Sequence, residues 1–227
     1  MTASVDPVAR RTGRADGIAT SATLFLTRHA QTVWHAENRY AGAGSDIDLT
    51  PAGVVQAQQL AAWAGRVAPD AVVSSPVRRA LETARPASLA AGRTLAVVHD
   101  LREVDFGVAE GRTLDELRVD DPEMVRRFRD DPVRHPFPGA EEPAAAAARS
   151  ARALRELAVA HVGCSVLVVA HNTLLRLAMC VLLDLPVGRY RQLFPRLDNA
   201  AVTEVRVPHD PDQPASLLSL NDRLDAP

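Results

Sequence analysis

The stretch Val166-Leu167-Val168-Val169-Ala170-His171 decides the fold class, because an unbroken apolar run leads directly into a histidine. Leu24-Phe25-Leu26-Thr27-Arg28-His29 repeats this arrangement near the start of the chain. Short apolar runs are typical of strands buried on both faces of an α/β sheet. Because ligands of open α/β folds bind at the carboxyl ends of the strands, His29 and His171 predict a catalytic crevice at one edge of the sheet.

Helical periodicity alternates with the predicted strands. Thr50-Pro51 is an N-cap followed by proline at the first helical position, and apolar residues then recur at helical spacing to about Val67. Ser75-Pro76 predicts the same start for a helix that ends near Ala90. The first histidine strand is predicted at 23–28, and further strands at 71–74, 95–98, 166–170, 199–207 and 216–220. Further helices are predicted at 113–119, 121–130, 141–161 and 172–183. This order predicts a three-layer α/β/α sandwich with a mostly parallel central sheet.

The bulk composition is that of an enzyme-sized domain. The 227 residues, of which 47% are hydrophobic, favour one domain over 23–227 after a polar tail at 1–22 that we expect to be disordered. A net charge of -2 gives no general attraction to nucleic acid. No apolar stretch is long enough to span a membrane, and the first twenty residues lack the apolar core of a secretory signal. Cys164 and Cys180 have no metal-site spacing, so a reduced, cytoplasmic protein is expected.

The residues near the predicted strand ends and helix starts suit phosphoryl transfer. Arginine forks such as those of Arg28 and Arg79 match phosphate oxygens, and a neutral imidazole can attack phosphorus. Glu103 adds a carboxyl group. Taken singly, each has an ordinary explanation: packing for a histidine, a solvated charge for Arg79, a surface carboxylate for Glu103. Together they predict phosphoryl transfer through a covalent intermediate.

Six segments carry a resemblance to a known family. Arg28-His29-Ala30-Gln31-Thr32 resembles the RHG-x-T motif of the histidine phosphatase superfamily, also called phosphoglycerate mutase-like. Five further segments match the same family in the same order, and the resemblance covers roughly residues 23–207. These segments are 48–53, 74–84, 103–111, 168–171 and 197–203, the last of which contains Asn199.

The resemblance implies a role for each member of the core site. His29 would be the nucleophile that becomes phosphohistidine. Arg28, Arg79 and His171 would surround the transferred group and stabilise its charge. Glu103 would protonate the leaving oxygen and then activate water. The resemblance implies no metal ion and no other cofactor.

Some positions depart from the family pattern. Ala30 replaces a glycine, and His171 is followed by Asn172 rather than Gly. His35 stands where many members carry an asparagine that contacts phosphate. We expect substrate contacts from His35, Asn172 and Gly42.

Contacts are also expected from Arg112 and Phe137, which lie in a proline-interrupted segment between Leu101 and Pro143. This segment is typical of a cover over a site, and equally of a solvated loop. The expected partner is a small phosphorylated metabolite: a sugar phosphate, a phosphoglycerate derivative or a nucleotide.

Three functions remain open at the sequence level. Phosphoglycerate mutases that resemble this chain have a longer insertion after the acid residue, and Phe106 and Leu114 stand where they carry Tyr and Lys. The sequence therefore favours a phosphatase over a mutase. A catalytically silent binding or regulatory module is the third alternative, and the intact His29 and Glu103 argue against it. Family members are commonly dimers, and the sequence leaves the oligomeric state open.

Overall fold

The computed structural model describes residues 20–224. Residues 1–19 of the tail that we expect to be disordered lie outside the described residues. Residues 21 and 22, which the prediction assigns to the tail, belong to the first strand, so this strand begins two residues earlier than predicted. Ser21 pairs with Pro208 of an antiparallel neighbour and Ala22 is buried, which is why the strand extends back to them.

The described residues form six strands and eight α-helices, joined by loops and short 3₁₀ turns. They are β1 (Ser21–Arg28), α1 (Val33–Ala36), α2 (Pro51–Val67), β2 (Ala71–Ser74), α3 (Arg78–Ala90), β3 (Leu95–Val97), α4 (Leu114–Asp120), α5 (Pro122–Asp130), α6 (Pro143–Ala160), β4 (Ser165–Ala170), α7 (Asn172–Leu182), α8 (Tyr190–Leu193), β5 (Val202–Pro208) and β6 (Ser216–Asp222). Every predicted strand and helix is present. The one-turn helices α1 and α8 were not predicted, because one turn shows no periodicity.

The sheet has the strand order β3-β2-β4-β1-β5-β6. The first four strands run parallel, and β5 is antiparallel to β1 and to β6. Alternate residues of β4 face opposite layers: Val166 and Val168 pack with α6 and α7, while Leu167 and Val169 pack with α2 and α3. The predicted three-layer, mostly parallel α/β/α sandwich is confirmed.

The two predicted cap-and-proline starts have different outcomes. The Thr50 side chain accepts a hydrogen bond from the Gly53 amide at the start of α2, as predicted. The Ser75-Pro76 prediction was wrong, because α3 begins at Arg78 with Val77 as its N-cap and without a side-chain cap. The Ser75 hydroxyl instead accepts a hydrogen bond from the Val77 amide at 3.2 Å and lies 2.7 Å from His171 Nε2, so it makes a turn contact and a tertiary contact rather than a helix cap.

The strand register brings the predicted site together. Arg28 at the end of β1 is paired with Ala170 at the end of β4, and Ser74 of β2 is paired with Val169. The residues that follow these strands, His29, Ser75 and His171, therefore leave the sheet side by side at its carboxyl edge.

Candidate active site

His29 is held as a neutral imidazole with a defined tautomer. Its side chain is buried, and Nδ1 lies 2.7 Å from the Ala30 carbonyl oxygen. Because a carbonyl only accepts, Nδ1 carries the hydrogen, and Nε2 keeps a lone pair that accepts a 3.2 Å hydrogen bond from Arg79 Nε. Burial, followed by the charge of Arg79, lowers the pKa of His29 well below its ordinary value. A neutral nucleophile is therefore available at neutral pH.

Arg79 is fully buried and is oriented by one loop. Its two terminal nitrogens donate to the carbonyl oxygens of Ser45 (2.9 Å), Ala41 (2.9 Å) and Gly42 (3.0 Å). Glu110 fixes that loop by accepting hydrogen bonds from the Gly42 amide (2.9 Å) and the Ser45 hydroxyl. Both polar backbone groups of Gly42 are thus engaged, and this glycine supports Arg79 rather than contacting the cavity.

His171 lies on the other side of His29, with 5.2 Å between the ring centroids. The Ser75 hydroxyl accepts a hydrogen bond from the Val77 amide and lies 2.7 Å from His171 Nε2. Its O–H can therefore donate a hydrogen bond to Nε2. The hydrogen of His171 then sits on Nδ1, which is buried without a protein partner among residues 20–224. Burial, followed by the charge of Arg79, lowers the pKa of His171 well below its ordinary value.

Arg28 supplies a second unused donor beside His29. One of its terminal nitrogens donates to the Leu197 carbonyl oxygen at 3.0 Å, while its Nε is buried and has no partner within the described part of the chain. Burial lowers the pKa of Arg28 to about 10, so the side chain is still a cation at neutral pH. Buried donors are nearly always paired, so the unused donors of Arg28 and His171 mark a place for an anion.

Glu103 lies between β3 and α4, and its carboxylate is bound at the N-terminus of α7. Its carboxylate accepts hydrogen bonds from the amides of Leu174 (2.9 Å), Val104 (3.0 Å) and Thr173 (3.2 Å). The side chain is buried, and burial raises the pKa of Glu103 while those amides oppose the shift. A carboxyl group with a raised pKa is suited to act as a general acid.

The structure brings His35 and Asn172 to the site, as expected. The His35 ring centroid is 4.8 Å from that of His29, and His35 Nδ1 is 2.6 Å from Thr32 Oγ1. Burial, followed by the charges of Arg28 and Arg79, lowers the pKa of His35 to about 3. Asn172 Oδ1 is buried and unpaired within residues 20–224.

A cavity of about 510 Å³ opens onto part of this site. Its inner wall is polar, and Tyr40, Phe106 and Leu114 contribute apolar surface to its lining. The remaining lining residues are Arg28, Gln31, His35, Glu37, Asn38, Arg39, Ala41, Glu103, Thr113, Asp115, Asn172, Thr173 and Asn199.

Three expected substrate contacts lie outside the cavity lining: Gly42, whose backbone groups bind Glu110 and Arg79, and Arg112 and Phe137. The Arg112 guanidinium forms an ion pair with Asp120, so it is held against α4 and does not line the cavity. Phe137 is buried in the core and stacks on Phe128, with 3.8 Å between the ring centroids. The burial of an aromatic ring explains the position of Phe137 without any contact to a ligand.

Some supporting residues were missed at the sequence level. Asn199, which lies in a matched segment but had no assigned role, donates from its side chain to the His29 carbonyl oxygen at 2.7 Å. Ser75 and Glu110 also lay in matched segments, which was the only signal available for them. Arg149 carried no local signal, because the carbonyl groups that it binds lie 46 to 49 positions away.

Residues 20–224 contain neither a metal-ligand cluster nor a membrane-spanning helix. No group of three or more His, Cys, Asp or Glu side chains in this part of the chain could hold a metal ion. None of its helices is long and apolar enough to cross a membrane.

Comparison with known proteins connects this site to a family. The profile of the histidine phosphatase superfamily (branch 1) matches residues 24–222. The chain is 31% identical over 200 residues to phosphoserine phosphatase 1 of Hydrogenobacter thermophilus, covering 87% of this chain and 91% of that protein. It is also 31% identical over 182 residues to "Probable phosphoglycerate mutase GpmB" of Escherichia coli, covering 80% of this chain and 83% of the relative.

The fold is shared with solved structures of phosphatases. The mycobacterial glucosyl-3-phosphoglycerate phosphatase superposes with a TM-score of 0.80 at 28% identity, covering 89% of this chain and 99% of that one. The family and these relatives confirm the expectation of a phosphatase for small phosphate monoesters. The site geometry and the match over nearly all described residues agree: the chain belongs to the histidine phosphatase superfamily, branch 1.

Proposed function

We propose that the protein hydrolyses a small phosphate monoester without a metal ion, through a phosphohistidine on His29. The observation that carries this proposal is the neutral His29 ring, whose Nδ1 donates to Ala30 and whose Nε2 lone pair accepts a hydrogen bond from Arg79 Nε. The positive field that a metal would otherwise supply comes from Arg28 and Arg79, supported by the donors of His171.

In the first step, His29 Nε2 attacks phosphorus and the bond from phosphorus to the ester oxygen breaks. Arg28, Arg79 and His171 stabilise the charge on the equatorial phosphoryl oxygens. Glu103 gives its proton to the departing oxygen, so the leaving group departs as an alcohol. Its buried position and raised pKa keep that proton available.

In the second step, water attacks the phosphorus atom of phosphohistidine. Glu103, now a carboxylate, takes a proton from the water molecule as the new bond forms. The bond from phosphorus to His29 Nε2 breaks, and inorganic phosphate leaves. The neutral ring and the protonated carboxyl group are both restored, so protons balance over the cycle.

The cavity favours a phosphatase over a mutase. A mutase has to hold the carboxylate of a phosphoglycerate while it reorients. Phe106 and Leu114, where mutases carry Tyr and Lys, line the cavity with apolar surface and offer no donor for a carboxylate. The leaving group therefore meets Tyr40, Phe106 and Leu114 on one side and polar groups on the other. We propose a small phosphorylated metabolite as the substrate, in the class of sugar phosphates, phosphoglycerate derivatives, phosphoserine and nucleotides.

The test measures phosphate release from p-nitrophenyl phosphate and from a panel of phosphorylated metabolites, in the presence of a chelator. We expect chelator-resistant turnover, and we expect His29→Ala to abolish it. Wild type quenched during turnover of a ³²P-labelled substrate should carry acid-labile label. His209→Ala removes an exposed histidine beyond β5 and is the matched control, with unchanged turnover.

Three results would overturn the proposal. Unchanged turnover in His29→Ala would exclude the nucleophile, and chelator-sensitive turnover would exclude metal independence. Isomerisation of phosphoglycerate with a bisphosphorylated primer, without phosphate release, would assign a mutase instead.

A further inference from the structure

We propose that Arg149 is a positioning residue for Glu103, and that it acts through a buried fork with Glu141. The inference rests on the proposed function, because it assumes that Glu103 protonates the leaving group. Nothing in the chemistry at His29 requires Arg149, which lies on α6, outside the cavity lining.

Arg149 is 7% exposed and uses all three guanidinium nitrogens. Nε and one terminal nitrogen form a two-point ion pair with Glu141, at 2.6 and 2.8 Å. The terminal nitrogens also donate to the carbonyl oxygens of Asp100 (2.7 Å), Arg102 (3.0 Å) and Glu103 (3.2 Å). Three backbone groups of the turn that carries the general acid are thus held by one planar side chain.

Glu103 is therefore held at both ends. Its carboxylate is bound by the amides of Thr173 and Leu174 at the start of α7, and its backbone carbonyl is bound by Arg149 from α6. If the turn were released, the carboxyl group would move relative to the phosphoryl group. A misplacement of about 1 Å can cost on the order of 10²-fold in rate.

Glu141 makes this arrangement specific for arginine. Its backbone amide donates to the Asp105 carbonyl oxygen at 2.9 Å, so its carboxylate is fixed relative to the same turn. A lysine at position 149 would keep the charge but could not bind the carboxylate at two points and reach three carbonyl oxygens. A glutamine at position 141 would leave the guanidinium buried without its counter-charge.

The test compares Arg149→Lys and Glu141→Gln with Arg152→Lys. Arg152 lies one turn further along α6, is exposed, and contacts the same turn only through the Asp100 side chain. Steady-state rates are measured on aryl phosphates of increasing leaving-group pKa and on an alkyl phosphate. A good leaving group departs without being protonated, whereas a poor one needs the general acid. A variant that displaces the general acid should therefore lose more activity on esters with poor leaving groups than on esters with good ones.

We expect both substitutions to lower kcat/KM, which reports the steps up to departure of the leaving group, at least about tenfold more for the alkyl phosphate than for p-nitrophenyl phosphate. Arg152→Lys should lower neither. Equal losses on all esters would overturn the proposal and show a merely structural role. If Arg149→Lys does not fold, the comparison of alkyl phosphate with p-nitrophenyl phosphate in Glu141→Gln alone tests the proposal.

A double variant separates this inference from the proposed function. In a Glu103→Gln background, Arg149→Lys should cost no further activity on the alkyl phosphate, because the group that it positions is already gone. A multiplicative further loss would overturn the inference and leave the proposed function standing. A wild-type protein that releases phosphate from no ester would instead overturn the proposed function itself.

Discussion

Arg79 Nε donates a 3.2 Å hydrogen bond to His29 Nε2, the atom that attacks phosphorus in the proposed mechanism. The cation therefore occupies the lone pair of the nucleophile when no phosphate is bound. A dianionic phosphoryl group is a stronger acceptor than a neutral imidazole, so we expect the guanidinium N–H to turn to it on binding. Substrate binding would thus release the lone pair at the moment when phosphorus is in place.

Arg79→Lys should lower kcat/KM on every ester by about 10²-fold or more, because a lysine cannot bind the loop carbonyls and the phosphoryl group together. Steady-state kinetics with p-nitrophenyl phosphate measure the loss. The adjacent Arg78 forms exposed ion pairs with Glu82 and Asp48, so Arg78→Lys is the control and should leave kcat/KM unchanged. A loss of similar size in both variants would contradict this role of Arg79.

Activity on poor leaving groups should fall as pH rises through the raised pKa of Glu103, because only the protonated carboxyl group is a general acid. On the acid side, His29 stays neutral below its ordinary pKa, so the nucleophile is retained there. Glu103→Gln should lower kcat/KM for an alkyl phosphate by about 10²- to 10⁴-fold and remove this pH dependence. The pH profiles of kcat/KM for both proteins check this, and a retained basic limb in the variant would assign the titration elsewhere.

The buried histidines should make the protein less stable in acid. His29, His35 and His171 have pKa values below the ordinary value of about 6.5, so below that pH the unfolded chain binds protons that the folded chain does not. The stability that each neutral ring contributes is fully present above about pH 6.5, and it is lost as the pH falls towards the pKa of that histidine in the folded protein. Each ring adds a slope of up to about 1.4 kcal/mol per pH unit to the free energy of unfolding.

His35→Asn isolates one of these contributions. Urea unfolding between about pH 7 and pH 5 should show a slope smaller by up to about 1.4 kcal/mol per pH unit in this variant. Glu103, whose raised pKa acts in the opposite direction, is present in both proteins and cancels in the comparison. Identical slopes would show that His35 is not held neutral in the folded state.

Phe137→Ala should destabilise the protein by about 3–5 kcal/mol, because it removes a buried ring from the stack with Phe128. Arg112→Ala, on the surface, should change stability by no more than about 0.5 kcal/mol. Chemical unfolding measures both, and the KM of the folded variants should match wild type. A raised KM with unchanged stability in either variant would restore that residue to the substrate site.

The parts of the fold that could be predicted are those encoded by neighbouring residues. Thr50 caps α2 because the cap, the following proline and the first turn are adjacent in sequence. The residues after β1 and β4 meet because parallel strands place their carboxyl ends at one edge. Ser75 misled the prediction because its hydroxyl bonds to the Val77 amide, two residues on, and to His171, 96 positions away, and no local pattern records the distant partner.

The candidate site divides in the same way. His29, Arg79, Glu103 and His171 lie in recognisable segments, and the structure brings them together. Arg112 and Phe137 lie in a segment without periodicity, where one ion pair and one aromatic stack decide the position of each side chain. The role of Arg149 depends on carbonyl groups of a distant turn, so only the folded chain reveals it.

The pairing of Arg28 with Ala170 makes the distance between His29 and His171 a consequence of strand alignment. Side chains alternate along a strand, so a slip of one residue in β1 would turn Leu24 and Leu26 away from the layer formed by α6 and α7. The apolar cost of that exposure opposes the slip. Deleting one residue within β1 should therefore inactivate the enzyme as surely as replacing His29, although none of the deleted atoms would touch phosphate.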